Sequence, residues 1–146
     1  MLEGCVNPRI KKAIAESEAL RPVAQIGASY SYVMPVPPSL NASYKNIGRG
    51  RAKTDKYKKW CRDADLELAC QKPVRFDGRV DISIYLPEPT RRSDIDNRIK
   101  PLCDSLVRVG VIDNDDNKYV RSVRAAWSTE VREARVNIYY APVNPT

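Results

Sequence analysis

The stretch that decides the fold is RVDISIYLPEPTRRSDIDNRIKPLCDSLVRVG, residues 79–110. Val80, Ile82 and Ile84 alternate with Asp81, Ser83 and Tyr85, the period-two pattern of a half-buried strand over Arg79 to Leu86. Pro87-Glu88-Pro89 stops it. Beyond Ser93 the period changes: Ile95, Ile99, Leu102, Leu106 and Val109 recur at helical spacing and form one apolar stripe. Pro101 removes one hydrogen bond inside that helix and kinks it. Asp94 to Asp96 are therefore expected to be extended or turning, with regular helix from about Asn97 or Arg98 and Gly110 as its C-terminal cap.

Upstream, Thr54 is placed to cap a helix running to about Gln71, with Trp60, Ala64 and Leu68 on its buried face. Ile47 to Arg51 (IGRGR) reads as a mobile loop. Ala28 to Met34 reads as a strand ended by Pro35, Pro37 and Pro38. Residues 1–27 read as an N-terminal helical extension, with a helix from Pro8 to Leu20 that presents Ile10, Ala13, Ile14 and Ser17 on one face. Downstream, Tyr119 to Thr129 and Glu133 to Tyr140 read as two strands of a hairpin. The expectation is an α+β two-layer domain over residues 28–146, a mixed four-stranded β-sheet covered by helices.

Composition narrows the function. A chain of 146 residues can bury a core without disulfides or structural metals. No apolar run approaches the roughly 20 residues that span a bilayer, and Met1-Leu2-Glu3-Gly4 lacks the basic and apolar parts of a signal peptide. A cytoplasmic protein with no membrane partner is expected. Cys5, Cys61, Cys70 and Cys103 form no CxxC pair, and the chain has no histidine, so structural zinc is not expected. The cysteines read as small buried hydrophobes. The absence of histidine also excludes a Ser-His-Asp triad and a histidine general base, and no GxxxxGK[ST] stands for a phosphate-binding loop. The net charge is +7. Lys45, Arg49, Arg51, Lys53, Lys56, Lys58 and Lys59 crowd together with only Asp55 against them, which points to a polyanionic partner. Tyr44, Tyr57 or Trp60 could stack on bases, although Trp60 lies on an apolar stripe and reads better as core.

The acidic residues carry the chemistry. Asp94 and Asp96 share one face if their segment is extended, and Lys100 follows Asp96 by one helical turn. A second acidic group, Asp113-Asn114-Asp115-Asp116, comes after the helix. Magnesium takes a few carboxylates, keeps several waters and completes its shell with substrate phosphate. Asp94, Asp96 and either Asp115 or Asp116 suit that demand, with Lys100 free to position water or neutralise developing charge. A calcium loop over Asp113 to Arg124 does not fit, because Lys118 stands where glycine is needed and Arg124 where glutamate is needed.

The series Asp94-Ile95-Asp96-Asn97-Arg98-Ile99-Lys100, Asp104-Ser105-Leu106, Gly110-Val111-Ile112, Asp115-Asp116 and Tyr119-Val120 resembles the RusA family of Holliday junction resolvases. Pro35 to Tyr44 resembles that family's opening strand and loop. The Gly-Arg element, the lysine-rich helix near Trp60 and the basic run Pro89 to Ser93 follow in the family's order. The resemblance spans about residues 28–140. It implies a homodimeric endonuclease, dependent on Mg2+ with Mn2+ as a possible substitute, that cuts four-way or branched DNA by paired nicks, with phage or prophage as a plausible source. It carries over Asp94 and Asp96 as metal-binding aspartates, Lys100 as the catalytic lysine and Asp115 as the downstream aspartate. Asn114 stands where the family has the first residue of an acidic pair, so the third ligand stays open between Asp115 and Asp116. Lys45, Arg49, Arg51, Lys53, Lys56, Lys59, Arg91 and Arg92 are the expected DNA-binding residues. Two other readings stand beside it: a metal-dependent nuclease for other DNA structures, and a branched-DNA-binding protein that does not cut.

Overall fold

The computed structural model describes Pro8, Arg9, Lys12 and residues 21–143. The elements in chain order are β1 (Tyr30–Met34), α1 (Leu40–Ser43), β2 (Tyr44–Ile47), β3 (Gly50–Lys53), α2 (Asp55–Cys70), β4 (Val80–Pro87), α3 (Asp96–Val109), β5 (Val120–Ser128) and β6 (Ala134–Tyr140). Four strands form a mixed sheet in the order β1-β6-β4-β5, and β2 and β3 form a separate two-stranded ribbon. The expected α+β architecture is the one that forms.

The alternation read in β4 sets the layers. Val80, Ile82, Ile84 and Leu86 are all but fully buried. Their cross-strand neighbours Val136 and Ile138 on β6 share that face, as do the partly buried Val123, Ala125 and Trp127 of β5. The apolar sides of α2 (Tyr57, Trp60, Cys61, Ala64, Leu68) and α3 (Leu102, Leu106, Val109) close the core. Asp81, Ser83 and Tyr85 point to the opposite face.

Helix ends follow local chemistry. The Thr54 hydroxyl accepts from the Tyr57 amide at 3.2 Å, an N-cap one residue before α2. At the end of α3, Gly110 adopts φ +87. Its amide donates to the Val107 carbonyl and the Val111 amide to the Leu106 carbonyl, the paired bonds of a Schellman cap. Val111 and Leu106 are both fully buried, which supplies the hydrophobic contact that accompanies this cap. Helix α3 starts at Asp96, with Ile95 already at φ −66 and ψ −35. Asp94 to Asp96 thus turn, the second of the two courses expected, so Asp94 and Asp96 do not share one face of an extended segment, and regular helix begins one residue before Asn97.

Two expectations about strands are corrected. β5 and β6 do not pair as a hairpin: β4 lies between them, parallel to β5 and antiparallel to β6. The link 129–133 passes the end of β4 and covers two interstrand spacings, about 10 Å, which five residues reach easily. The Ile47–Arg51 segment is the centre of the β2–β3 hairpin, in register from Tyr44↔Lys53 to Ile47↔Gly50. Gly48, at φ +55, opens its two-residue turn, where a left-handed conformation favours glycine.

β1 is an edge strand, and a side chain completes its free rung. Gln71 Oε1 accepts from the Val33 amide at 2.9 Å while Nε2 donates to the Val33 carbonyl at 2.7 Å. This leaves that part of the edge closed to another strand. Ahead of β1, Ala24 is buried, its amide donates to the Arg75 carbonyl at 2.8 Å, and Arg75 donates back to the Pro22 carbonyl at 3.0 Å. Pro8, Arg9 and Lys12 are helical; the rest of the expected Pro8–Leu20 helix lies outside the described residues. Among the described residues no helix is long and apolar enough to cross a membrane. Cys61 and Cys103 are buried free thiols, whereas Cys70 is exposed, contrary to the expectation that the cysteines are buried.

Asp81 is buried on the second sheet face, where the register shifts and β5 carries one extra residue, Arg121. Arg121 donates twice to it, at 2.9 and 2.5 Å, and Ser122 Oγ donates at 2.7 Å. The Arg121 bonds, opposed by burial and aided by Ser122, hold its carboxyl below the usual carboxylate range. A depressed folded pKa means that this stabilisation is fully present above about pH 4, the unfolded value, and is lost as pH falls through the folded value. In denaturant titrations, Asp81→Asn is expected to be less stable than wild type at neutral pH, with the gap closing below about pH 4. A gap that stays constant through acid would show that the carboxylate charge is not what stabilises the pair.

Candidate active site

The N-terminal half of α3, the start of β5 and the loop between them form an open pocket of about 280 Å³ lined by Asp96, Ile99, Lys100, Cys103, Asp115, Val120 and Val123. Each side chain arrives for a local reason. Asp96 stands in the first turn of α3, where the helix dipole favours an anion. Lys100 and Cys103 follow on the same side at i+4 and i+7. Val120 and Val123 provide an apolar floor.

Asp115 reaches the pocket from a tight polar turn. Asp116 holds that turn: its side chain accepts from the Lys118 amide at 3.0 Å and from Asn114 Nδ2 at 3.2 Å. Its carbonyl accepts from the Tyr119 and Val120 amides. Asn114 Oδ1 in turn accepts from the Asp115 amide at 2.8 Å. Of the two candidates for the third ligand, Asp115 lines the pocket and Asp116 shapes the loop.

Lys100 Nζ bonds Asp115 Oδ2 at 2.6 Å and Asp104 Oδ1 at 2.9 Å. The hydrogen bond to Asp115 is the main cause that raises the ammonium above the usual lysine range, opposed by partial burial and helped by Asp104. Lys100 is thus a fixed positive charge. Asp104 stands one turn beyond Lys100, and their i, i+4 spacing is the sign in the sequence of this contact. Burial, reinforced by Asp115 and Asp104, pushes the Cys103 thiol up to about 12, so it lines the wall as a neutral group.

Asp94 lies exposed on the irregular approach to α3, outside the pocket lining. Arg98 organises that approach. Its guanidinium donates to the Pro37 carbonyl and, at 2.9 Å, to Ser93 Oγ. It thereby ties the loop after β1 to the residue before Asp94. Burial lowers its pKa, but an arginine stays charged.

Among the described residues no three His, Cys, Asp or Glu side chains converge closely enough to enclose a metal ion alone. The donor set nonetheless fits a hard divalent cation. Magnesium is content with one or two carboxylates, waters and substrate phosphate. Asp96 and Asp115 offer two carboxylates in one pocket, and a Lys100 cation already sits against one of them.

The basic residues fall in three places. Lys45, Arg49 and Arg51 are exposed on the β2–β3 hairpin, with Lys53 half-buried at its base; Lys56 and Lys59 are exposed on α2, and Arg91 and Arg92 on the approach to α3. Lys59 is paired with Asp63 at 2.9 Å. Trp60 and Tyr57 are buried, and Trp60 Nε1 donates to the Pro35 carbonyl at 3.0 Å, so neither can stack on a base. Tyr44 keeps part of its ring accessible, beneath the Arg51 guanidinium at 5.2 Å.

Residues 34–139 match the family model described as Endodeoxyribonuclease RusA. The chain is also 33% identical, over 101 residues, to the crossover junction endodeoxyribonuclease rusA of Enterobacteria phage HK97; the match covers 65% of this chain and 84% of that protein. The matched span contains every residue of the pocket, and the chain belongs to the RusA family of endodeoxyribonucleases.

Proposed function

We infer that this endonuclease resolves four-way DNA junctions by paired, symmetric nicks, acting as a homodimer with Mg2+, for which Mn2+ can substitute. The observation that carries this reading is the convergence of Asp96, Lys100 and Asp115 in one pocket, in a chain whose phage relative is named a crossover junction endodeoxyribonuclease. A junction presents two scission points about a two-fold axis, and a symmetric dimer offers two sites in the same relation.

Asp96 and Asp115 in the pocket would hold the cation, Asp94 just outside it is a third ligand on the family resemblance, and Asp116 shapes the loop through its turn bonds. A bound divalent cation would supply an activated water and neutralise charge on the scissile phosphate. Lys100 contributes a permanent positive charge beside the reacting phosphate, and Asp104 keeps its ammonium at the pocket when Asp115 turns toward other partners. Lys45, Arg49, Arg51, Lys53, Lys56, Lys59, Arg91 and Arg92 bind the phosphate backbones.

The test is cleavage of an end-labelled synthetic four-way junction beside linear duplex of the same sequence, in magnesium and in EDTA. Symmetric nicks on the junction alone, abolished by EDTA, are the expected result. Cutting of duplex at an equal rate, or tight junction binding without cutting, would overturn it. Arg98→Ala is expected to slow single-turnover cleavage roughly ten- to a hundredfold by releasing the Asp94 approach. Arg98→Lys should recover only part of that loss, since one ammonium replaces a two-pronged donor. Unchanged rates in both variants would remove Arg98 from the account.

A further inference from the structure

The β2–β3 hairpin stands apart from the main sheet and carries no acidic residue from Tyr44 to Thr54. Its base is anchored. Thr54 N donates to the Ser43 carbonyl, and Tyr44 packs edge-on against Tyr57 of α2 at 5.4 Å. The pairing register divides its side chains. Tyr44, Asn46, Arg51 and Lys53 share one face, where Arg51 and Lys53 lie over the rings of Tyr44 and Tyr57. Lys45 and Ile47 share the other, opposite Ala52 and Gly50.

Ile47 is therefore the one bulky apolar side chain at the tip, and its cross-strand partner is a glycine with no side chain. It is 57% exposed. A cross-strand pair is what normally stabilises such a residue, and here none exists. A Cβ placed on Gly50 would meet only the Ile47 carbonyl oxygen, at 3.8 Å, so folding leaves room for a larger partner that the sequence does not supply. Lys45 shares the face of the isoleucine and Arg49 stands in the turn beside it, cations suited to phosphate near a base step, while Arg51 lies over Tyr44 on the opposite face. An apolar side chain framed by cations is the arrangement by which proteins wedge open stacked bases, and a two-stranded ribbon is narrow enough to enter a duplex groove.

We propose that the β2–β3 hairpin is the branch-reading element of this enzyme: Lys45, Arg49 and Arg51 clamp the phosphates at the crossover, and Ile47 inserts against the base pair that ends an arm. The inference rests on the junction-resolving reading and adds to it the residue that makes branched DNA preferred. Base pairs at a branch have lost a stacking neighbour on one side, so insertion there costs less than in continuous duplex. Selectivity then follows from structure rather than from base sequence.

The test uses the full chain in EDTA, where bound DNA stays uncut, and a four-way junction carrying 2-aminopurine either next to the branch or deep in one arm. Wild type is expected to brighten the branch-flanking probe and leave the arm probe unchanged. Ile47→Ala should abolish the brightening and lower the ratio of junction to duplex affinity by roughly ten- to a hundredfold, the loss expected for one buried aliphatic side chain. Ile47→Leu should restore both. No brightening with wild type on the junction, or equal brightening and an equal affinity ratio in Ile47→Ala, would overturn the wedge. If wild type cuts junctions in magnesium while Ile47→Ala behaves like it in every arm, only the wedge falls. If wild type neither prefers nor cuts junctions, the resolving function falls with it.

Discussion

Asp96→Asn is expected to lower the rate of junction cleavage by at least about a thousandfold, the several kcal/mol of charge stabilisation that a metal-assisted site supplies. Junction affinity measured in EDTA should stay within about twofold of wild type, since phosphate contacts made by distant cations dominate binding. The substitution keeps the shape of the side chain and removes one negative charge from the first turn of α3. Asp96 is exposed and makes no buried contact, so the fold has little reason to respond. Parallel binding and cleavage assays check the separation. If cleavage survives, the pocket between α3 and β5 is not the active site. If binding and cleavage collapse together, the carboxylate acts through DNA affinity or folding.

The second large effect lies between the two helices. Asp65 on α2 is fully buried and accepts from Ser105 Oγ at 2.6 Å and from Arg108 Nε and Nη2 at 2.7 and 3.0 Å, both residues of α3. Asp65→Ala leaves the Arg108 guanidinium in place with its carboxylate gone. Removing one partner of a buried pair costs about 3–5 kcal/mol, which for a domain of this size lowers Tm by roughly 10–20 °C. Replacing both partners together, Asp65→Leu with Arg108→Met, is expected to regain most of that loss, because the buried carboxylate and guanidinium are then removed together. Thermal unfolding of the three proteins decides it. A single variant as stable as wild type would show that the pair contributes nothing net, and a double variant as unstable as the single would shift the cause to packing. The same pair holds α3 in place, so partly unfolded Asp65→Ala enzyme should regain activity on cooling.

The readable parts of this protein were those with long, regular period. β4 and α3 alternate and repeat cleanly, and Gly110 after Val109 marks a helix end in any context. The β2–β3 hairpin is not legible in the sequence because its strands are four residues each and its polar, cationic side chains carry no buried face to betray a period. The pairing of β5 and β6 was misread for a different reason: proximity in sequence favours a hairpin, and nothing local reveals that β4 comes between them. Asp65 had a faint sign, an acid one turn after Cys61 on the apolar side of α2, matched by Ser105 and Arg108 near the stripe of α3. The resemblance implies that Asp94, Asp96, Lys100 and Asp115 belong to one site; Asp96, Lys100 and Asp115 line one pocket, and Asp94 lies outside it. The division of labour between Asp115 and Asp116 depends on turn hydrogen bonds that composition does not encode.

The sheet order β1-β6-β4-β5 also has a bearing on how the protein is made. The strand that joins β1 to β4 is the last of the six to leave the ribosome. Until residues 134–140 emerge, β1 has no partner, and one flank of β4 is an open, apolar edge. The β4–α3–β5 unit that bears the pocket can pair within itself during synthesis, but the layer beneath α2 cannot close. A chain interrupted before β6 is thus left with unpaired strands that invite aggregation and degradation. For a cell making a DNA-cutting protein, the topology works as a completeness check: a finished last strand comes before a finished nuclease.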